Sequence, residues 1–302
     1  MKKLIRIGTR ESQLALWQAN LVKDSLEELG HTCQLVLINS KGDQDTKTPL
    51  YQLGITGIFT KTLDIALLDN RIDIAVHSMK DVPTLLPKGI VKAAVLKRGN
   101  HNDVLVYKDL SFLNGTGTIA TGSLRRKAQW LNKYSSHEVV GLRGNVNTRL
   151  EKLEKNPWDG AIFAKAGLSR IDKLPKQSLE LDWMTPAPAQ GAVMVVCRNQ
   201  EPEILEALAP LNHLPTDICT QIERDFLSVL EGGCSAPIGA FATVFNDTVS
   251  LKGELLSLDG SAKIEVEKSA SLGSLQDLGI TAASEILDNG GTALMKLIKD
   301  AL

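Results

Sequence analysis

The sequence predicts an α/β protein of two lobes followed by a smaller α+β domain. Strand-length apolar runs alternate with helix-length amphipathic stretches through the first two thirds of the chain. At 302 residues the chain exceeds what one ordinary core holds. Beyond about Pro215 the alternation gives way to a long helix and three consecutive strand-like runs.

The first lobe opens on "LIRIG" (4–8), a strand. Residues 12–29 read as a helix, because Ala15, Ala19, Val22, Leu26 and Leu29 recur at spacings of four and three. "QLVLI" (34–38) is continuously apolar, the pattern of a strand buried in a parallel sheet. The next 21 residues, "NSKGDQDTKTPLYQLGITGIF", are polar and turn-rich, and a connection of that length predicts a lid, a binding loop or disorder. A helix over Lys61 to Leu68 and strands at "IDIAV" (72–76) and "VKAAVL" (91–96) follow.

The second lobe begins after "KRGNHND", with strands at 103–107, 118–121, 138–142 and 161–164 and helices around 124–132 and 145–155. "PAPAQGA" (186–192) has turn chemistry and reads as a linker to the strand "VMVVC" (193–197). The last part predicts a helix over 216–231, strands at 238–245, 248–257 and 262–268, and one terminal helix over 273–300. The expected domains are 1–97 with 193–212, then 98–192, then 213–302.

A net charge of −1 offers no general attraction to nucleic acid or to an anionic membrane, so a charged ligand must be met by a local cluster. Aromatic residues are 4%, too few for a base-stacking surface. No apolar run approaches the ~20 residues that span a bilayer. The start, "MKKLIRIGTRES", passes directly into a strand pattern without the apolar core of a signal peptide. Cys33, Cys197, Cys219 and Cys234 are scattered, with no CxxC and no zinc-like spacing. A cytoplasmic protein with reduced thiols and no metal is expected.

In α/β lobes, ligands bind beyond the carboxyl ends of the strands. Arg10 follows the first strand, beside Thr9 and Ser12, both candidate helix caps. Thr121 closes "TIAT", and the following "GSLRR" puts Ser123, Arg125 and Arg126 at a helix start. Arginine there opposes the helix dipole unless something anionic compensates. Arg143, Gly144 and Arg149 in "GLRGNVNTRL", and Arg170 after "AKAGL", repeat the placement. Any one of these reads as surface charge. Six arginines past strand ends point to a polyanionic ligand, since the guanidinium fork matches carboxylate and phosphate.

The strand "IDIAV" ends in "HSMKDVP", which packs His77, Ser78, Lys80 and Asp81 together. Asp81 beside Lys80 suits acid–base work or holding a cation, and equally an ion-paired turn stopped by Pro83. His77 reads as a core or hydrogen-bonded histidine. No GxSxG, HExxH or GxxxxGK[ST] motif is present. Cys234 lies in "LEGGCSAPIGAF", just past a helix end, where the dipole does not activate a thiol. Its local chemistry leaves open a structural cysteine, a one-time attachment point, or a hydrolase nucleophile paired with His213.

Seven motifs, "GTRESQLALWQA", "IAVHSMKDVP", "GSLRR", "LRGNVNTRL", "AKAGLSR", "PAPAQGA" and "LEGGCSAPIGA", occur here in the order found in the porphobilinogen deaminase (hydroxymethylbilane synthase) family, and the chain resembles that family over most of its length. The resemblance implies two lobes like those of periplasmic binding proteins and transferrins, with parallel-rich sheets, and a small third domain. It implies a monomeric transferase that joins four porphobilinogen molecules head to tail, releases ammonia from each, and delivers 1-hydroxymethylbilane. It further implies a dipyrromethane cofactor held by a thioether to Cys234. Lys80, Asp81, Thr121, Ser123, Arg125, Arg126 and Gly144 match cofactor-binding positions. Arg10, Ser12, Arg126, Arg143, Arg149, Arg170 and Gln190 match substrate-binding positions, Gln190 also reading as a hinge. Asp81 matches the essential aspartate, which would hydrogen-bond pyrrole N–H groups and stabilise the azafulvene cation left as ammonia departs. The chain departs from the family at Ile55 and Thr56, where glycine and lysine are usual, and at Gly122, where serine is frequent. A non-enzymatic binding protein for a small polyanion is the alternative.

Overall fold

A computed structural model describes residues 4–39, 60–230 and 236–302. The expected loop at 39–59 lies outside the described residues but for Asn39, and Ile55, Thr56 and Cys234 lie outside them too. The described residues divide into two compact units, the chain passing from one to the other at 99/100, 190/191 and 218/219.

The first unit is built on a five-stranded sheet. Strand β1 (Ile5–Thr9) pairs in parallel with β2 (Cys33–Leu37) and β3 (Ile74–Ser78). Strand β10 (Val193–Arg198) returns from far along the chain and inserts antiparallel between β3 and β4 (Ile90–Val95), giving the order β2-β1-β3-β10-β4. Helix α1 (Gln13–Glu28) lays Ala19, Val22 and Leu26 on Ile5, Ile7, Ile74 and Val76 of the sheet. Leu29, expected on that buried face, is instead the exposed cap at the helix end. Helix α2 (Lys61–Leu68) has the predicted bounds.

One expectation fails here and one helix went unpredicted, each for a physical reason. "QLVLI" was expected to be buried, yet β2 is an edge strand, half-exposed, with Leu37 at 53% exposure. An apolar run identifies a strand without telling its place in the sheet. The unpredicted helix α6 (Pro202–Leu208) has only seven residues, too few to display a period.

The second unit repeats the sheet plan. Strands β6 (Thr118–Ala120), β7 (Glu138–Val140) and β8 (Gly160–Ala164) run parallel. Strand β5 (Asp103–Tyr107) is antiparallel between β8 and β9 (Ser178–Leu181), in the order β7-β6-β8-β5-β9. Each sheet thus carries one reversed strand in the fourth place. Helices α3 (Leu124–Lys133), α4 (Val146–Lys155) and α5 (Lys165–Ser169) follow β6, β7 and β8. Strand β9, four residues of alternating exposure at the sheet edge, carried no readable signal in the sequence.

Helix α7 (Leu214–Val229) leads to a small antiparallel meander of β11 (Ile238–Phe245), β12 (Thr248–Leu256) and β13 (Lys263–Ser271). The β11–β12 turn is Asn246-Asp247 with φ of 43° and 48°, the left-handed pair that a two-residue hairpin requires. The single terminal helix expected over 273–300 is two, α8 (Leu278–Ile286) and α9 (Thr292–Ala301). Gly290, at φ 101°, breaks it with a left-handed turn.

Candidate functional site

In the first unit, the carboxyl ends of β1 and β3 present the predicted residues. Arg10 leaves β1 partly buried, and Ser12 caps α1 by accepting the Ala15 N–H at 3.3 Å. Thr9, the other expected cap, is buried, and its hydroxyl donates to the Ala15 carbonyl at 3.1 Å instead. Strand β3 passes straight into a 3₁₀ turn, Met79–Asp81. Met79 is fully buried and its N–H donates to the Ala192 carbonyl at 3.0 Å, so the turn is pinned from below. Lys80 and Asp81, on the same turn, are both partly exposed. Ser78 is held by the buried Gln18, whose amide donates to its hydroxyl at 2.9 Å.

His77 is buried beneath this turn, and its Nε2 has no hydrogen-bond partner among the described residues. Burial, reinforced by the charge of Arg10, pushes its pKa down to about 4, so the ring is neutral at pH 7.

In the second unit, β6 ends at Ala120 and the chain turns into α3. The Thr121 hydroxyl accepts the Ser123 N–H at 3.3 Å, and Ser123 caps the helix by accepting the Arg126 N–H at 3.4 Å. Gly122 has little room: a Cβ there would stand 2.4 Å from the Leu142 carbonyl oxygen. The serine usual at this place in the family therefore does not fit this backbone as it stands.

Arg125 and Arg126 are both buried, and the anion that meets them is Asp103, at the start of β5. Arg126 grips Asp103 Oδ1 with Nε at 3.0 Å and Nη2 at 2.8 Å, and its Nη1 donates to the Ile162 carbonyl at 3.1 Å. Arg125 Nη1 donates to Asp103 Oδ2 at 2.7 Å and to the Thr185 carbonyl at 2.8 Å. Gln190 Nε2 completes the ring, donating to Asp103 Oδ1 and to the His101 carbonyl, each at 2.8 Å. Burial would raise the Asp103 pKa, but the charges and hydrogen bonds of the two arginines outweigh it and hold the carboxyl well below the usual range. The charge that the sequence placed against the helix dipole is thus met in part inside the fold.

Asp103 was missed because it opens an apolar run, where an aspartate reads as a solvated strand start. The available signal was the acidic residue itself, a buried counter-charge for the paired arginines.

The other basic positions lie at the head of α4 and the end of α5. Asn145 caps α4, and Arg149 Nε donates back to the Gly144 carbonyl at 2.8 Å. Gly144, at φ 113°, makes the turn; a Cβ would stand 2.8 Å from Thr148 Cγ2. Arg143 is buried, and its carbonyl accepts from Lys152 Nζ at 3.0 Å. Arg170, the C-cap of α5, has its pKa lowered by burial. Each unit therefore carries cationic side chains past its strand ends.

Among the described residues, no group of three or more His, Cys, Asp or Glu is placed to hold a metal ion, and no helix is long and apolar enough to cross a membrane.

Two family models match the chain. Residues 5–206 match "Porphobilinogen deaminase, dipyromethane cofactor binding domain", and residues 218–288 match "Porphobilinogen deaminase, C-terminal domain". Over 306 residues the chain is 39% identical to a porphobilinogen deaminase of Desulforamulus reducens, covering 99% of both chains. It is 41% identical over 303 residues to one of Pelotomaculum thermopropionicum, covering 98% of this chain and 97% of that one. Among solved structures, it is similar to the periplasmic VFT2 domain of Bordetella pertussis BvgS at TM-score 0.41 and 12% identity, covering 68% of this chain and 85% of the other. An arginine transport periplasmic binding protein from Legionella pneumophila gives TM-score 0.39 at 11% identity, covering 68% and 90%.

Proposed function

The chain belongs to the porphobilinogen deaminase family, and from that premise we propose which of its residues carry the reaction. It is a transferase of tetrapyrrole biosynthesis that joins four porphobilinogen molecules, with loss of ammonia, into 1-hydroxymethylbilane. Its first family domain binds the dipyrromethane cofactor.

The observation that carries the assignment of sites lies at the head of α3, where the buried Arg125 Nε has no hydrogen-bond partner among the described residues although its Nη1 is held by Asp103. A buried, undersatisfied cationic site fits a group that bears carboxylates. The dipyrromethane cofactor, made from two porphobilinogens, bears an acetate and a propionate on each ring. Arg125 and Arg126, with Lys80, Asp81, Thr121, Ser123 and Gly144, would hold it. Arg10, Ser12, Arg126, Arg143, Arg149, Arg170 and Gln190 would bind substrate side chains. When bound, the cofactor supplies the nucleophilic pyrrole carbon from which the product is extended.

Asp81 is the catalytic residue in this reading. As the aminomethyl C–N bond of porphobilinogen breaks, nitrogen leaves as ammonia and the pyrrole becomes cationic. The Asp81 carboxylate accepts the pyrrole N–H and offsets that charge. Met79 holds the turn in place from below. Lys80, next to it, pairs with a cofactor carboxylate.

Cys234 is the attachment point, through a thioether. It follows a predicted helix end in the sequence, where the helix dipole does not activate a thiol, so it suits a single modification better than repeated turnover. The chain works as a cytoplasmic monomer with domains at 1–97 with 193–212, 98–192 and 213–302. Incubation with porphobilinogen, followed by oxidation and an absorbance scan, should give the porphyrin spectrum. Porphobilinogen left unconsumed by cofactor-loaded protein would refute the reading.

A further inference from the structure

We propose that Asp103 is a positioning residue, which fixes Arg125 so that one edge of its guanidinium faces the ligand. This rests on the reading of Arg125 as a carboxylate contact. The two arginines meet Asp103 differently. Arg126 spends its side-on pair, Nε and Nη2, on a single oxygen of Asp103, and its Nη1 donates to Ile162. Arg125 is held only through Nη1, by Asp103 Oδ2 and the Thr185 carbonyl. The opposite edge, Nε with Nη2, has no partner among the described residues, and its Nε is buried. That edge is the geometry that takes a carboxylate with two parallel hydrogen bonds.

Asp103 itself is fully buried and accepts from both arginines and from Gln190, which fixes the carboxylate plane. Gln190 belongs to a turn that is itself clamped, because Glu223 Oε2 accepts the N–H of Ala189, a residue at φ 61°. Glu254 lies within electrostatic reach of Arg125, but it is engaged by Lys263 at 3.1 Å and burial raises its pKa. Asp103 takes one face of the Arg125 guanidinium and thereby aims the other. Arg126 is the second anchor of Asp103, on Oδ1.

The test is a double-mutant cycle on the full chain, read as the fraction of purified protein that carries the dipyrromethane mass increment. Circular dichroism first establishes that each variant is folded at the temperature used. Asp103→Asn should lower the loaded fraction at least fivefold. In an Arg125→Lys background the same change should lower it less than twofold, because Asp103 acts through the Arg125 fork. A purely structural role would lower loading equally in both backgrounds, and that result would overturn the proposal. Should Asp103→Asn fail to fold, Gln190→Met removes one hydrogen bond to Asp103 and keeps the charge. It should lower loading at least twofold in the parent and leave it unchanged in the Arg125→Lys background; unchanged loading in the parent overturns the proposal. A parent protein without the mass increment sinks the family reading as well, whereas a loaded parent with equally loaded Asp103→Asn sinks this inference alone.

Discussion

Acid should destabilise this protein through His77, and the size of the effect follows from its surroundings. An unfolded histidine titrates near 6.5, whereas burial and Arg10 push the folded ring down to about 4. At pH 7 the ring is neutral in both states and costs almost nothing. As pH falls through 6.5 the unfolded chain takes up a proton that the folded chain refuses, so stability is lost. The loss continues to about pH 4, where the folded ring also charges, and then levels off. Between pH 7 and pH 5 the two pKa values give a loss of about 2 kcal/mol from this one group. The assay is urea denaturation at the two pH values for the parent and for His77→Gln, which cannot titrate. The parent's midpoint should fall by roughly 1 M more than the variant's, taking a slope of about 2 kcal/mol per molar urea. Equal midpoint shifts in the two proteins would refute the picture of a neutral ring buried under the site.

Asp81→Ala should leave the fold and much of the cofactor loading intact while lowering porphobilinogen turnover by about 10²-fold or more, the scale of a lost electrostatic or acid–base contact. A variant with normal porphobilinogen consumption would remove Asp81 from the mechanism. Gly122→Ser, which restores the residue usual in the family, should destabilise the protein by about 1–3 kcal/mol, because its Cβ would press on the Leu142 carbonyl at 2.4 Å. Thermal melting of the variant beside the parent reads this out, and an unchanged melting temperature would mean that the turn relaxes freely.

What was legible in the sequence follows from how far each signal reaches. Strand and helix patterns are local, so α2 at Lys61–Leu68 and β5 at Asp103–Tyr107 were bounded to the residue. The order of strands in a sheet depends on partners far away. Nothing in "QLVLI" marks it as an edge, and nothing in "VMVVC" says that it slips between β3 and β4 in the reverse direction. The strand-end arginines were visible because arginine in the first turn of a helix violates a local electrostatic preference. Their counter-ion Asp103 was not, since it stands 22 residues before Arg125 in an apolar run. Gly290 shows the same limit: its side-chain pattern continues a helix, and only its backbone angle reveals the break. The turn that carries Lys80 and Asp81 was legible, but the contact that pins it, from the buried Met79 N–H to the Ala192 carbonyl, comes from a segment more than a hundred residues on.

The claim at the centre of this account is that the chain carries its own primer on Cys234. Intact-mass analysis of the purified protein beside Cys234→Ser tests it most directly. The parent should be heavier than its sequence by one dipyrromethane unit and colour with Ehrlich's aldehyde reagent, and the variant should do neither. Active parent protein at its unmodified mass, or a Cys234→Ser variant that still carries the increment, would contradict it.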